Sequence, residues 1–234
     1  MPVKAPRHIL SSLIERLPSK QRKQLLEGCE PVELVFGSVL QEANQPIRHV
    51  YFPLSGFISL VATLDGHHPL EMGLIGNEGM LGATLVLGIG LAPMRAVVQG
   101  SGSALRISSQ LFKQELLSSP ALLRVLQRYL YVVLAQLSQS AACTHFHAIE
   151  PRLARWLLMT HDRAHADHFH LTHEFLADML GVRRSGVSIA AAALQARGLI
   201  SYSRGEINIL DRAGLERAAC ECYAELQADY RAQF

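Results

Sequence analysis

Two adjacent arginines, Arg183 and Arg184, followed by Ser185 and Ser188, interrupt an apolar helical stretch, "LTHEFLADMLGVRRSGVSIAAAALQARGLI" at 171–200. A guanidinium fork binds the O6/N7 edge of guanine or a pair of phosphate oxygens bidentately, and short hydroxyls reach bases or phosphates at close range. The chemistry implied is recognition of a polyanion. Position matters as much as residue type. Positive charge in the first turn of a helix opposes the helix dipole, a local cost that an external anion removes.

The flanking sequence supplies the elements that would place these groups. Thr172 can cap a short helix over 173–180, and Gly181 can end it by taking positive φ. A second helix then runs from about Arg183 to Arg197 and stops at Gly198, with Val187, Ala191 and Leu194 on its inward face. In a helix-turn-helix of this kind the N-terminal residues of the second helix enter the major groove. The following "GLISYSRGEINIL" reads as two short strands around Arg204-Gly205, a wing, and Asp211 as the cap of the last helix. Upstream, Glu150 and Pro151 interrupt the chain. "RLARWLLMTHDR" then predicts an amphipathic helix with Leu153, Trp156 and Leu157 inward, and "HDRAHADHFH" a polar connection.

The N-terminal half has a different texture. Residues 8–28 predict helix, with Ile9, Leu10, Leu13, Ile14 and Leu17 apolar, a break at Pro18 and Ser19 as a cap. From about 30 to 110 come the β-rich runs "VELVF", "HVYFPL", "FISLVATL", "MRAVVQG" and "ALRIS", punctuated by Gly37, Gly56, Asp65-Gly66, Gly76, Gly79 and the stretch 100–103. That pattern predicts a compact antiparallel barrel or jelly roll. After Pro120 the period becomes helical. Leu123, Leu126, Leu130, Val133, Leu137, Ser140 and Thr144 form a heptad seam, while Leu122, Val125, Tyr129 and Val132 form a second stripe. Two apolar faces on one helix imply two partners, so the seam predicts a homodimer. The fold class expected is α+β: N-terminal helices and a double-stranded β-helix or jelly roll over 1–118, a long dimerisation helix over 119–149, and a winged helix-turn-helix over 150–234.

Composition sets limits. The net charge is +2, and residues 150–217 hold nine arginines against eight acids, so any contact with DNA must be local rather than a bulk electrostatic effect. The N-terminus lacks the apolar segment of a signal peptide, and no run of about 18 apolar residues occurs, which predicts a cytoplasmic protein without a membrane partner. The four cysteines, Cys29, Cys143, Cys220 and Cys222, show no disulfide framework. Cys220 and Cys222 are read as part of a helix, where residues two apart do not share a face, so chelation is not expected of them. His161, His165, His168, His170 and His173 are irregularly spaced and read as a solvated connection, and no metal site is assigned. No nucleophile elbow, P-loop or HExxH motif points to an enzyme. The near-neutral charge leaves one rival, a small-molecule-binding module whose C-terminal helices make protein contacts only.

The order of β-roll, long helix and winged helix-turn-helix resembles the Crp/Fnr transcription regulators over nearly the whole chain. The segments "YFPLSGFISL" at 51, "GLIGNEGMLG" at 73, "RLARWLL" at 152 and "LTHEFLADMLGVRRSGV" at 171 carry the likeness. It implies a cyclic-nucleotide-binding-like β-roll and a homodimer on a pseudo-palindromic DNA site, with recognition helices roughly 34 Å apart in successive major grooves. Arg184 and Ser185 match the first two base-reading positions of the family and Ile189 the third. By the same resemblance Arg183 and Ser188 are phosphate or peripheral base contacts, Thr172 is a backbone contact, and RNA polymerase is a further partner. The family's cyclic-nucleotide residues are not retained. Asn77 stands where a ribose-binding glutamate belongs, with Glu78 displaced by one, and Ala92 and Pro93 stand at the phosphate position with Arg95 the nearest base. A buried phosphate without its arginine would be an unpaired charge. Cyclic AMP is therefore not expected, no cofactor is assigned, and Gly76, Asn77, Glu78, Gly79 and Arg95 mark the remaining candidate effector pocket. Cys29 alone cannot supply the cysteine cluster of the oxygen-sensing branch.

Overall fold

In the computed structural model, which describes residues 11–66, 69–164 and 166–234, Pro18 divides the N-terminal helical stretch into α1 (Ser12–Glu15) and α2 (Ser19–Glu27). Pro18 itself occupies the N-cap position of α2, so Ser19 is the first helical residue and not the cap. Leu13, Ile14, Leu17 and Leu25 are buried as their spacing requires, while Ile9 and Leu10 lie outside the described residues.

Five strands follow: β1 (Glu30–Leu34), β2 (Val39–Gln41), β3 (His49–Ala62), β4 (Leu70–Ile75) and β5 (Arg95–Ser108). They form a sheet in the order β1-β5-β3-β4, with β2 also paired to β5. β1 runs antiparallel to β5, with Pro31 opposite Leu105. The expected runs "HVYFPL" and "FISLVATL" are one strand, and so are "MRAVVQG" and "ALRIS". The physical reason lies in the glycines that separate them. Gly56 has φ +71°, and a Cβ there would lie 2.2 Å from the Gly100 carbonyl oxygen. A Cβ on Gly102 would meet the Ser55 carbonyl oxygen at the same distance. These glycines let two strand backbones approach and bend within the strands instead of ending them.

The chain divides into two compact units, one comprising residues up to Ile58 with Ile75–Tyr129, the other Ser59–Leu74 with Leu130–Phe234. The first is built on Phe52, Phe112, Leu34, Met80, Ile107 and Leu126, all fully buried. α3 (Ser109–Ser118) leads into α4 (Pro120–Phe146), the long helix. Leu122, Leu126, Tyr129 and Val132 face inward along α4. Leu126 thus leaves the expected heptad seam, because the single chain already encloses it. Leu123, Leu130, Val133 and Leu137 stay partly open, beside Tyr131 and Leu134, which are 53% and 63% exposed.

The second unit continues with α5 (Ile149–Ala164). The break before it falls at His147–Ala148, earlier than Glu150 and Pro151, because proline is tolerated in the first turn of a helix, where its missing N–H has no intrahelical partner. Leu153, Trp156 and Leu157 are buried. α5 extends to Ala164, and β6 (His168–His170) pairs with β8 (Glu206–Ile209), which in turn pairs with β7 (Ile200–Ser203). The stretch read as a polar connection therefore supplies a third strand to the wing, since Phe169 alternates inward between two exposed histidines. α6 (His173–Leu180) and α7 (Arg184–Ala196) form the helix pair, followed by α8 (Arg212–Ala218) and α9 (Cys222–Gln233). Asp211 caps α8 by accepting from the Gly214 N–H at 2.8 Å, but α8 is not the last helix. Cys220 sits in the bend between α8 and α9, outside both.

Gly181 ends α6 in the left-handed conformation, φ +62°. A Cβ there would also stand 2.8 Å from the Leu70 Cδ1. Gly181→Ala is expected to cost about 1–2 kcal/mol, mostly backbone strain, since the leucine tip can shift. The readout is a lower urea midpoint with an unchanged slope.

Candidate nucleic-acid interface

The Thr172 hydroxyl accepts a hydrogen bond from the Phe175 N–H at 3.1 Å and fixes the start of α6. α7 begins with Arg183 at its N-cap in an extended conformation, and no side chain caps its first turn. Arg184 and Ser185, the first two helical residues, are exposed. Ile189 emerges one turn later on the surface, 72% exposed. The opposite face, Val187, Ala190, Ala191 and Leu194, is buried. α7 lies close to the start of α5, because a Cβ on Gly186 would stand 2.5 Å from Ile149 Cδ1.

Ser188 differs from its expected role. Its hydroxyl donates to the Arg184 carbonyl at 3.1 Å and receives the His173 Nδ1 at 2.8 Å. The His173 ring stacks on Tyr202, centroids 4.1 Å apart and planes at 15°. Burial, with a smaller push from Arg184, holds this imidazole below its ordinary pKa and so favours the neutral ring. Ser188 thus links α6 to α7 and, through the His173–Tyr202 stack, to the wing.

The near balance of charge over 150–217 is unevenly distributed in space. Arg197 pairs with Glu150 at 2.8 Å, Arg212 with Asp162 at 2.7 Å and with Glu216 at 3.1 Å, and Arg217 with Asp211 at 3.9 Å. Glu206 faces His170 and His168, each at 2.6 Å, and Asp167 faces His161 at the same distance. Arg152 and Arg155 are buried. Among the described residues Arg183 and Arg204 form no ion pair, and Arg184 has a loose exposed contact with Glu174 at 3.8 Å. The acids are thus largely engaged elsewhere, and free positive charge gathers at the start of α7 and at the tip of the wing. The five histidines read as a connection are spread over α5, β6 and α6, with His165 outside the described residues.

A family model, the Crp-like helix-turn-helix domain, matches residues 151–218. The chain carries a Crp-like helix-turn-helix domain. The fold of the chain is that of the Crp/Fnr-family transcription regulators. It is similar to a Crp/Fnr-family transcriptional regulator from Eubacterium rectale, at 17% identity and TM-score 0.70, covering 88% of this chain and 97% of that one. FixK2 from Bradyrhizobium japonicum has TM-score 0.69 at 15% identity, covering 82% and 98%. A Crp/Fnr-family regulator from Thermus thermophilus has TM-score 0.67 at 23% identity, covering 81% and 98%. No curated protein matches the sequence. Among the described residues no helix is long and apolar enough to cross a membrane.

The β-roll residues named as an effector pocket do not converge as a phosphate site would require. Arg95 is exposed and lies 3.4 Å from Glu42, and Glu78 turns back to accept the Gly76 N–H at 3.2 Å. The Asn77 carbonyl accepts the Ser12 N–H at 2.8 Å. Beside Gly79 the space is filled by Tyr129, whose hydroxyl donates to the Met80 carbonyl at 3.2 Å and would lie 2.5 Å from a Cβ at Gly79. Sequence reasoning placed the wing turn at Arg204-Gly205, inside the matched domain, but did not single out Arg204 as a candidate contact. It occupies the wing tip with φ +52°, followed by Gly205 with φ +87°, the two positive φ values of a type I′ turn. The "RG" dipeptide between two β-rich runs was the available signal.

Proposed function

We propose that the protein reads a pseudo-palindromic operator as a homodimer in the cytoplasm and thereby controls transcription, without a membrane partner and with RNA polymerase as a further partner. The reading rests on one observation above all: the exposed row Arg184, Ser185 and Ile189 on the first turns of α7, in a domain whose acids are largely paired elsewhere. Arg184 suits the O6 and N7 of a guanine, and Ile189 offers an apolar contact to a thymine methyl. Arg183, Thr172 and the wing-tip Arg204 would contact phosphates, which set register without reading sequence. The partly open row Leu123, Leu130, Val133 and Leu137, with Tyr131 and Leu134, supports pairing of α4 with its copy. Among the described residues the β-roll has no buried arginine to pair with a cyclic nucleotide's phosphate, and operator binding without added cyclic AMP is part of the proposal.

Selection of bound sequences from a random double-stranded DNA pool, with no ligand added, tests this reading. The expected result is a two-fold symmetric motif whose half-sites contain a guanine near a thymine and lie one helical turn apart. No enrichment, either alone or with a cell metabolite extract, would leave the Crp-like domain of this chain without a DNA-reading role.

A further inference from the structure

Cysteine and histidine side chains converge in the second unit at a place the DNA-reading surface does not use. Cys143 and His147 lie one helical turn apart at the end of α4, and the His147 N–H bonds the Cys143 carbonyl at 3.1 Å. Cys220 and Cys222 flank the bend between α8 and α9, and because Cys220 lies outside the helix the two thiols turn to the same side. Cys143 Sγ is 3.6 Å from Cys220 Sγ, and Cys222 Sγ is 3.5 Å from His147 Nδ1. All four atoms lie within 4.8 Å of one another. A tetrahedral zinc ion with Zn–S bonds of about 2.3 Å and a Zn–N bond of about 2.0 Å has S···S edges of about 3.8 Å and S···N edges of about 3.5 Å. The Cys143–Cys220 and Cys222–His147 edges are close to that geometry, and the widest separation, up to 4.8 Å, closes by about 1 Å when the ligands draw in on an ion.

Two further observations point the same way. His147 offers Nδ1 to the cluster while its Nε2 lies 3.1 Å from the Glu221 carboxylate, the outer partner that fixes the ring orientation of a zinc-bound histidine. Arg152 and Arg155 are buried, form no ion pair among the described residues, and leave three guanidinium nitrogens without hydrogen-bond partners. The Pro151 carbonyl, adjacent in the chain to Arg152, accepts the Cys220 N–H at 3.4 Å. Three thiolates and one neutral imidazole around a divalent ion carry a net charge of about −1, a counter-charge for two buried guanidiniums that form no ion pair among the described residues.

We propose that Cys143, His147, Cys220 and Cys222 bind one zinc ion that clasps the Crp-like domain at its neck. The matched domain, residues 151–218, lies between the two ligand pairs, so the ion would join the segments entering and leaving it. Loss of the metal, or oxidation of its thiolates, would release the end of α4 from the start of α9. The proposal does not depend on DNA binding.

Metal analysis of the full chain, purified under reducing conditions without a histidine tag, should find about one zinc per chain, retained in Cys29→Ser and lost in Cys220→Ser and Cys222→Ser. Because surface histidines can also hold zinc, the deciding measurement is titration of the reduced, metal-free wild-type chain with cobalt. A thiolate-to-cobalt charge-transfer band with the intense visible bands of a tetrahedral ion, saturating at about one equivalent, is expected. Absence of the charge-transfer band, zinc content unchanged in Cys220→Ser, or a persistent Cys143–Cys220 disulfide in its place would overturn the site. The cobalt titration uses the native sequence, so it decides the matter even if a cysteine variant fails to fold.

Discussion

Arg184→Ala is expected to weaken binding to the selected operator by between about 30-fold and more than 10,000-fold. A bidentate arginine–guanine contact contributes about 1–3 kcal/mol of discrimination, and a homodimer loses two of them at once. Affinity for unrelated DNA should fall much less, because that binding depends on counterion release and not on base edges. Stability should change by no more than about 0.5 kcal/mol, since Arg184 is exposed and its contact with Glu174 is 3.8 Å long. Fluorescence anisotropy at one fixed salt concentration, on operator and on scrambled duplex, separates the two affinities. Arg184→Lys sharpens the test: the charge remains and the fork is lost, so binding to scrambled DNA should persist while discrimination drops. If Arg184→Ala bound the operator as tightly as wild type, the first turn of α7 would not be the part of the helix that reads bases.

The helix pair was legible because each of its signals is local. Thr172, Gly181 and Gly198 act through their own backbone, and the inward spacing of Val187, Ala191 and Leu194 fixes which face of α7 remains for solvent. What escaped the sequence depends on contacts between distant segments. Gly56 and Gly102 look like turn residues until the partner strand is seen crossing them. Leu126 and Leu130 belong to one heptad pattern, yet the folded chain encloses the first and leaves the second partly open. Ser188 has the residue type of a base contact, but its hydroxyl is engaged by His173 and by the Arg184 carbonyl. The cysteines are the plainest case. Extending a helix through Cys220 by two residues was enough to turn two converging thiols into two that point apart, and nothing near Cys143 in the sequence indicates that a cysteine 77 positions later closes on it.

The second large effect concerns Glu71 on β4. Its carboxylate accepts hydrogen bonds from the Ser59 hydroxyl at 2.6 Å and from the Trp156 indole N–H at 2.8 Å. Burial raises its pKa from the ordinary 4.5 to about 7, outweighing the opposing pull of those two hydrogen bonds and of the Arg155 and Arg163 charges. The folded chain therefore holds this proton more tightly than the unfolded chain. Folding takes up a proton between about pH 4.5 and 7, so the stabilisation is complete below that window and is lost as pH rises through it. A displacement of this size corresponds to about 3 kcal/mol. Glu71→Gln keeps a neutral side chain able to accept from Trp156 and donate to Ser59 at every pH. The variant should match wild type near pH 4 and exceed it by up to about 3 kcal/mol at pH 8, measured by urea denaturation. Other groups titrate in the same range, but they are common to both proteins, and the difference between the two profiles isolates Glu71. A difference that did not grow between pH 5 and 7 would place the carboxylate in water. Trp156 is the single tryptophan, so its emission should shift through the same window in wild type and stay constant in the variant. Leu70, the neighbour of Glu71, meets Gly181 at the turn of the helix pair. Ionising Glu71 thus places a charge against Trp156 of α5, in the same compact unit that carries the helix pair.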